Sequence, residues 1–182
     1  MQFAKQSGKI LVAGLINIET TLKIDGFPVE YTPCRYPFFG VNADISGVGY
    51  NVAKALTTLG EDVRFCAFMG RDLGAVTVKE KLRLDGIPSA HVIDGLDHTL
   101  RSVIMYDDSG KRMINVDLKD VQNATYPSEL FEAAAEDCTL AVMCNINFAR
   151  PYLELIKARG IPIATDVHTI SDLDAEYEQD FL

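Results

Sequence analysis

The amino-acid sequence predicts a three-layer α/β/α fold, in which a mainly parallel sheet lies between two layers of helices. A small β structure is added to this core. Short apolar runs alternate with amphipathic helical patterns, which is typical of parallel strands joined by crossover helices. Two stretches, 20–45 and 99–116, interrupt this alternation. With 182 residues, of which 48% are hydrophobic, the chain is long enough to bury one sizeable core.

The strands and helices of the predicted main sheet follow one another in order. Each apolar run is too short for a helix, so we assign a strand to it. The helical patterns place apolar residues three and four positions apart, and glycine follows several of them. The predicted strands cover 9–15, 63–69, 140–144 and 161–165. The predicted helices cover 49–59, 73–84, 128–135 and 151–158.

The two interrupting stretches carry turn residues. Three prolines lie within 20–45, where they separate short alternating apolar segments. In the second stretch, 99–106 and 111–116 flank the sequence Asp-Asp-Ser-Gly at 107–110, which is typical of a β-hairpin turn. We expect both stretches to form strands outside the main sheet. Such strands must cover a ligand site or pair with another chain, because their edges are otherwise unpaired.

Charge and cysteine content limit the classes of partner. A formal net charge of -9 opposes nucleic-acid binding, because lysine and arginine must neutralise phosphates. The four cysteines form no Cys-x-x-Cys pair and the three histidines lie at no zinc-ligand spacing, so we expect reduced thiols in a cytoplasmic protein. The apolar run 10–16 is too short to span a bilayer, and we expect no membrane partner. Small molecules or proteins are the expected partners.

The most informative motif is the glycine-rich segment that precedes the first predicted helix. Gly47 and Gly49 let the backbone approach a ligand closely, and they open a helix whose first N–H groups are free to donate. Asn51 adds a side-chain amide, which both donates and accepts and therefore suits sugar hydroxyls. In the alternative interpretation, Asn51 is only an exposed residue of the first helical turn. A dinucleotide fingerprint is disfavoured, because its third glycine would fall on Val52.

A longer stretch, 46–74, resembles the first signature of the PfkB family of kinases. It has the Gly-x-Gly-x-x-Asn start, a helix that ends in Leu-Gly, and a Gly-x-Asp-like turn at 70–74. The surrounding order is also similar, with an opening strand that ends at 14–17 in Gly-Leu-Ile-Asn and a Gly-Ile-Pro step at 86–88. The resemblance implies a ribokinase-like fold in which 1–182 form the N-terminal part of a single domain and the two interrupting stretches form a β lid.

The resemblance also assigns site residues, position by position. The substrate-binding positions are Asn17, Glu19, Gly47, Val48, Asn51 and Arg101. Asn17 would hydrogen-bond a substrate hydroxyl, and Glu19 would clamp two hydroxyls although the family usually has aspartate there. Val48 replaces a lysine of typical ribokinases, which argues against plain ribose. Arg101 lies on the predicted hairpin and would reach over the pocket, unless it is a charged residue on an exposed strand face.

Asp166 is the one candidate metal ligand. The family has an Asp-x-Asn-x-Arg run associated with phosphate and metal, and this chain matches that run only at Asp166. His168, two positions later, is interpreted as an ordinary loop residue. Gly70, Asp72 and Gly74 are interpreted as structural, with Asp72 capping the helix that follows.

The family resemblance implies ATP-dependent phosphorylation of a hydroxymethyl group of a sugar or nucleoside, with Mg²⁺. The family's second signature, Asp-Thr-x-Gly-Ala-Gly-Asp, supplies the catalytic base and does not occur here. We therefore expect no catalytic residue in this chain, an absent ATP-site part, and no activity of 1–182 alone. A homodimer through the lid is a further expectation. The alternatives are an inert binding or interaction module of the same fold and, more remotely, a Rossmann-type dinucleotide-binding protein.

Overall fold

A computed structural model describes residues 8–166, 174 and 179–181 of the chain. The strands are β1 (Lys9–Ala13), β2 (Asn17–Lys23), β3 (Val41–Ser46), β4 (Asp62–Met69), β5 (Val92–Asp94), β6 (Arg101–Tyr106), β7 (Arg112–Asp117), β8 (Cys138–Cys144) and β9 (Ile163–Asp166). The α-helices are α1 (Val48–Thr58), α2 (Leu73–Leu84), α3 (Ser128–Ala135) and α4 (Leu153–Ala158). His168 lies outside the described residues.

The main sheet has five strands in the order β5-β4-β1-β8-β9, and all its pairs are parallel. The central strand β1 is apolar throughout its buried part, with Val12 opposite Phe65 of β4 and Val142 of β8. A strand buried on both faces reads as a continuous apolar run, which is why the sequence revealed it. The predicted three-layer α/β fold is confirmed.

Two buried clusters lie on opposite faces of this sheet. One cluster includes Val12 and Phe65 and contains residues of α1 and α2, such as Val78. The other includes Leu11 and contains residues of α3 and α4, such as Phe131. Because neighbouring side chains on a strand point to opposite faces, β1 contributes alternately to both clusters. Helices therefore cover both faces of the sheet.

The remaining strands form a second sheet, in the order β3-β2-β6-β7. Its two sequence segments are those expected outside the main sheet, although β2 begins at Asn17, earlier than the predicted 20–45. The hairpin between β6 and β7 closes as predicted, with the Asp107 carboxylate accepting hydrogen bonds from the backbone N–H groups of Ser109 (2.9 Å) and Lys111 (3.2 Å). Between β2 and β3, residues 24–40 form neither helix nor strand.

Asp72 fastens the start of α2 to the start of the second sheet. Its carboxylate accepts hydrogen bonds from the backbone N–H of Ala75 (3.3 Å) and from the hydroxyl of Thr99 (2.5 Å). The predicted helix cap is thus confirmed, and the same side chain holds the segment that leads into β6. None of the helices in the described part of the chain is long and apolar enough to cross a membrane.

Candidate functional site

A cavity of about 640 Å³ lies between the loop that follows β1, the start of α1 and one face of the second sheet. Its lining residues come from five separate parts of the chain. They are Leu15, Asn17, Glu19, Ser46, Gly47, Val48, Asn51, Ser102, Ile104, Arg112, Ile114, Val116, Leu118, Gln122, Asn145 and Ile146. The structure therefore brings together five of the predicted positions, namely Asn17, Glu19, Gly47, Val48 and Asn51.

The start of α1 forms one wall because the backbone there can approach the loop after β1. Gly47 has φ 111°, and a Cβ atom built on it would lie 2.6 Å from the Leu15 carbonyl oxygen. A Cβ on Gly49 would lie 2.6 Å from the backbone of Gly14. The N–H of Tyr50 donates to the Leu15 carbonyl at 3.0 Å. Only glycine permits this conformation and this separation, so the glycine motif is explained by packing at the cavity wall.

Asn17 is held rigidly at the floor of the cavity. Its side chain is 7% exposed, and its amide nitrogen donates to the Ser102 hydroxyl at 2.7 Å. Glu19 lies two positions further along β2 and therefore on the same face of the strand. Asn51 stands across the cavity on the first turn of α1, with its amide nitrogen 3.4 Å from the Ser46 hydroxyl. Together these side chains offer both hydrogen-bond donors and acceptors.

The opposite wall is aliphatic and belongs to the second sheet. Ile104 of β6 pairs directly with Ile114 of β7, and Ser102 pairs with Val116, so all four side chains share one face. Arg112 pairs with Tyr106 at the outer end of the same hairpin. The hairpin thus covers the cavity with an apolar surface and a single guanidinium group.

The structure does not place Arg101 among the residues that line the cavity. Ser102 and Ile104 face the cavity, so the pleat of β6 turns Arg101 to the other face of the sheet. There its positive charge lies near Asp72 and contributes to lowering the pKa of that carboxyl, after the larger effect of the Thr99 hydroxyl. The arginine that lines the cavity is Arg112.

A polar contact between helices fixes the orientation of α1. The hydroxyl of the buried Tyr50 donates to the Asp85 carboxylate, which also pairs with Lys54 at 3.2 Å and Lys81 at 3.7 Å. Partial burial opposes ionisation of Asp85, but the hydrogen bonds from Tyr50 and Lys54 lower its pKa. Burial, together with that carboxylate, raises the pKa of Tyr50. The first turn of α1 is therefore anchored by the residue next to Asn51.

Asp166 lies at the carboxyl end of β9 and does not line the cavity. The pKa of the neighbouring Cys144 thiol is raised to about 12 by burial and, secondly, by the negative charge of Asp166. Within the described ranges, no group of three or more histidine, cysteine or acidic residues could hold a metal ion. A magnesium ion is often held by one or two carboxylates together with phosphate oxygens, so Asp166 could contribute one such ligand beside a bound phosphate group.

Sequence reasoning missed several residues that line the cavity. Asn145 directly follows β8, at the same sheet edge as the loop after β1, and the rule that ligands bind outside the carboxyl ends of parallel strands could have found it. Ser102 and Arg112 require the strand register, which sets the face on which each lies. Gln122 lies in a short 3-10 turn, Val121–Asn123, and no sequence pattern marks it.

A family model described as pfkB family carbohydrate kinase matches residues 7–161. Among solved structures, a microbiome-derived acarbose kinase shares 21% identity at a TM-score of 0.83, over 97% of this chain and 58% of that chain. The ribokinase of Giardia lamblia shares 20% identity at a TM-score of 0.74, over 93% and 53%. The ribokinase of Arabidopsis thaliana, complexed with ribose and ATP, shares 17% identity at a TM-score of 0.77, over 97% and 59%. A comparison with curated protein sequences gives no match.

The chain spans somewhat over half of the length of these three solved structures. At such low identities their likeness shows the ribokinase-like fold alone. The family model, in contrast, matches residues 7–161 and so includes the loop after β1, the glycine motif and the whole second sheet. The chain therefore belongs to the pfkB family of carbohydrate kinases.

Proposed function

We propose that the protein transfers the γ-phosphoryl group of ATP to a hydroxymethyl group of a sugar or nucleoside, and that residues 1–182 supply its substrate-binding half. The observation that carries this proposal is the convergence of Asn17, Glu19 and Asn51 on one cavity, beside the glycine motif of a pfkB-family chain. In phosphoryl transfer the protein mainly positions the acceptor and neutralises developing charge. A rigid set of amide and carboxylate groups suits that positioning task.

Asn17, Glu19 and Asn51 would each bind different hydroxyl groups of the substrate. With its amide nitrogen bonded to Ser102, Asn17 presents its carbonyl oxygen, which would accept a hydrogen bond from a hydroxyl. Glu19 would accept hydrogen bonds from two neighbouring hydroxyls, and such charge-assisted bonds are stronger than neutral ones. Asn51 would donate to or accept from a third hydroxyl. Two structures with the same fold contain ligands of the proposed classes. They are the nucleoside kinase of Burkholderia thailandensis with inosine and the Arabidopsis thaliana ribokinase with ribose and ATP.

The catalytic base and the ATP site are proposed to lie outside the described residues. Glu19 is the only acidic residue among the described residues that line the cavity, and we assign it to hydroxyl binding. Mg²⁺ would accompany ATP, with Asp166 as one candidate ligand. We also propose a cytoplasmic location, which suits the four free thiols, and association of two chains through the second sheet.

The test is a thermal-shift screen of sugars and nucleosides, followed by titration of the best ligand, because a ligand that binds the native state raises its stability. Replacing Asn51 with alanine should weaken binding about 2-fold to 12-fold, as expected for the loss of one hydrogen bond to a neutral hydroxyl. Thr58→Ala is the matched control, because Thr58 lies at the far end of α1 and its hydroxyl donates to the backbone carbonyl of Lys54.

The control variant should bind the ligand like the wild type, and both variants should unfold cooperatively. An unchanged affinity in Asn51→Ala would contradict the placement of the acceptor. ATP consumption with the same ligand tests the activity itself. We expect the chain 1–182 to bind the ligand without consuming ATP. We expect a protein that also carries the ATP-site residues to consume ATP. Absence of binding by every sugar and nucleoside would overturn the proposal.

A further inference from the structure

The hydrogen bond between Asn17 and Ser102 joins two parts of the fold that are distant in the sequence. Asn17 is the first residue of β2 and follows the loop after β1, whereas Ser102 lies on β6. The amide nitrogen of Asn17 donates to the Ser102 hydroxyl at 2.7 Å, and the two residues are only 7% and 5% exposed. A buried amide donor without a partner is costly, so this bond restricts the rotation of the Asn17 side chain.

The carbonyl end of the same amide is directed toward the glycine motif. The Oδ1 atom of Asn17 would lie 2.9 Å from a Cβ atom built on Gly47, which forms part of the cavity wall. Ser102 and Glu19 are register partners on β6 and β2, and both line the cavity. A half-turn of the amide would exchange its two ends and present an N–H group where a substrate hydroxyl would otherwise find an acceptor.

The position of Ser102 is fixed by contacts at the start of β6. Thr99, which precedes the strand, is fully buried. Its hydroxyl donates to the Asp72 carboxylate at 2.5 Å and accepts a hydrogen bond from the backbone N–H of Gly70 at 3.2 Å. From its first residue onward, β6 then pairs with β2 along its whole length. These contacts oppose sliding of β6 along β2, and they keep the Ser102 hydroxyl within reach of Asn17.

We propose that Ser102 is a positioning residue for substrate binding, whose hydroxyl holds the Asn17 amide with its carbonyl oxygen toward the cavity. Asn17 is the residue that would touch the substrate hydroxyl, and Ser102 acts through it. A serine side chain suits this role, because its hydroxyl accepts a hydrogen bond from the amide while the side chain is too short to fill the cavity. This inference rests on the proposed function and adds to it a residue of the second sheet.

The first test needs no ligand. In NMR spectra of isotope-labelled protein, the side-chain amide signals of Asn17 are identified by their loss in Asn17→Ala. We expect these protons to exchange slowly with solvent in the wild type, because they are buried and hydrogen-bonded. Exchange should remain slow in Ser102→Thr, which keeps the hydroxyl, and should be faster in Ser102→Ala. Fast exchange in the wild type would overturn the proposal, whether or not the variants fold.

The second test measures the affinity for inosine and for ribose by titration calorimetry. Ser102→Ala should bind both ligands about 2-fold to 12-fold more weakly than the wild type, the range for one neutral hydrogen bond, and Ser102→Thr should restore most of the affinity. In the Asn17→Ala background, Ser102→Ala should cause no further loss, because the residue through which it acts is gone. Ser109→Ala is the matched control, because its hydroxyl bonds Asp107 at 2.6 Å in the turn of the same sheet and does not line the cavity.

Loss of the Ser102 hydroxyl without loss of affinity would overturn the positioning role and leave the proposed function standing. An equal loss of affinity with and without Asn17 would show that Ser102 contacts the ligand directly, and would likewise overturn the role. A wild type that binds neither inosine nor ribose would overturn the role of Ser102 in binding. The proposed function would fail with it only if every other sugar and nucleoside of the screen also failed to bind.

Discussion

At the scale of single residues, the cavity depends on backbone that only glycine can form. Gly47 has φ 111° and ψ 145°, a region that other residues occupy only under strain. A side chain there would also meet the Leu15 carbonyl oxygen at 2.6 Å and the Asn17 Oδ1 atom at 2.9 Å. The glycine thus allows Asn17 to keep the position in which it bonds Ser102. Conformation and recognition are coupled at this one residue.

Replacing Gly47 with alanine is therefore expected to affect both stability and binding. The backbone strain alone should lower the free energy of unfolding by about 1–3 kcal/mol, and displacement of Asn17 should weaken ligand binding. Gly60→Ala is the matched control, because Gly60 also has a positive φ of 84° but a Cβ there would meet nothing within 4 Å. Urea denaturation and ligand titration give the two readouts. Loss of binding in both variants, or in neither, would contradict the coupling.

Asn17 and Asn51 line the cavity, where local motifs of the sequence place them, and their role in substrate binding stays a prediction. Asn17 follows the loop after β1 and Asn51 lies in the first turn of α1, so both lie at the same edge of the main sheet without knowledge of the register. The sequence could not show which residues of β6 face the cavity, because one position along the strand separates Arg101 from Ser102 and the two faces of the second sheet. Gln122 was missed because its place depends on the packing of Val121 and on Asn147, which lies far away in the sequence.

At the scale of elements, the sequence predicted the buried strands and the amphipathic helices but not the shortest pieces. The helix 73–84 has the predicted bounds, because Asp72 caps its start and Gly86 follows its end. β5 has only three residues, too few to show a period. The predicted helix 151–158 begins instead as a 3-10 turn, Arg150–Tyr152, before α4. The predicted stretch 20–45 leaves out the first three residues of β2, since nothing in the pattern marks the change of sheet.

The contribution of Asp72 to the stability of the junction between α2 and the second sheet should depend on pH. The hydroxyl of Thr99, followed by backbone N–H groups, lowers the pKa of Asp72 below its ordinary value of 3.8. Because the folded pKa is the lower one, the stabilisation is present above pH 3.8 and is lost as the pH falls through the folded pKa. Asp72→Ala should therefore lower the free energy of unfolding at neutral pH by about 0.5–2 kcal/mol, as for other helix caps, and the difference from wild type should shrink below pH 3.8.

Urea denaturation of both proteins from neutral pH to below pH 3.8 measures this difference. Glu80→Gln is the control, because Glu80 lies on the same helix and has a lowered pKa from its exposed pair with Arg83. A wild-type-to-variant difference that stays constant with pH would show that the charge of Asp72 contributes nothing. A difference as small as that of Glu80→Gln would show that the contact with Thr99 does not stabilise the junction.

At the scale of the whole molecule, the two sheets have different partners. The main sheet is covered by helices on both faces, whereas the second sheet has one face on the cavity and another that α2 covers only in part, at Ile18 and Ile45. On the uncovered part of that face Val41, Val103 and Met113 are between 42% and 56% exposed. The outer strands β3 and β7 each pair on one side only within the described part of the chain. Exposed apolar faces and open strand edges are features of surfaces that pair with another chain.

Association of two chains through the second sheet is therefore the expectation at this scale. Val103 lies on the central strand β6 and points outward, so Val103→Lys would place a charge in the middle of the interface and should shift the protein from dimer to monomer in sedimentation velocity. Leu59→Lys is the matched control, because Leu59 is 72% exposed at the end of α1, outside both sheets. It should leave the sedimentation coefficient unchanged. A wild type that remains monomeric at high protein concentration would contradict the dimer, and a dimer that persists in Val103→Lys but dissociates in Leu59→Lys would place the interface elsewhere.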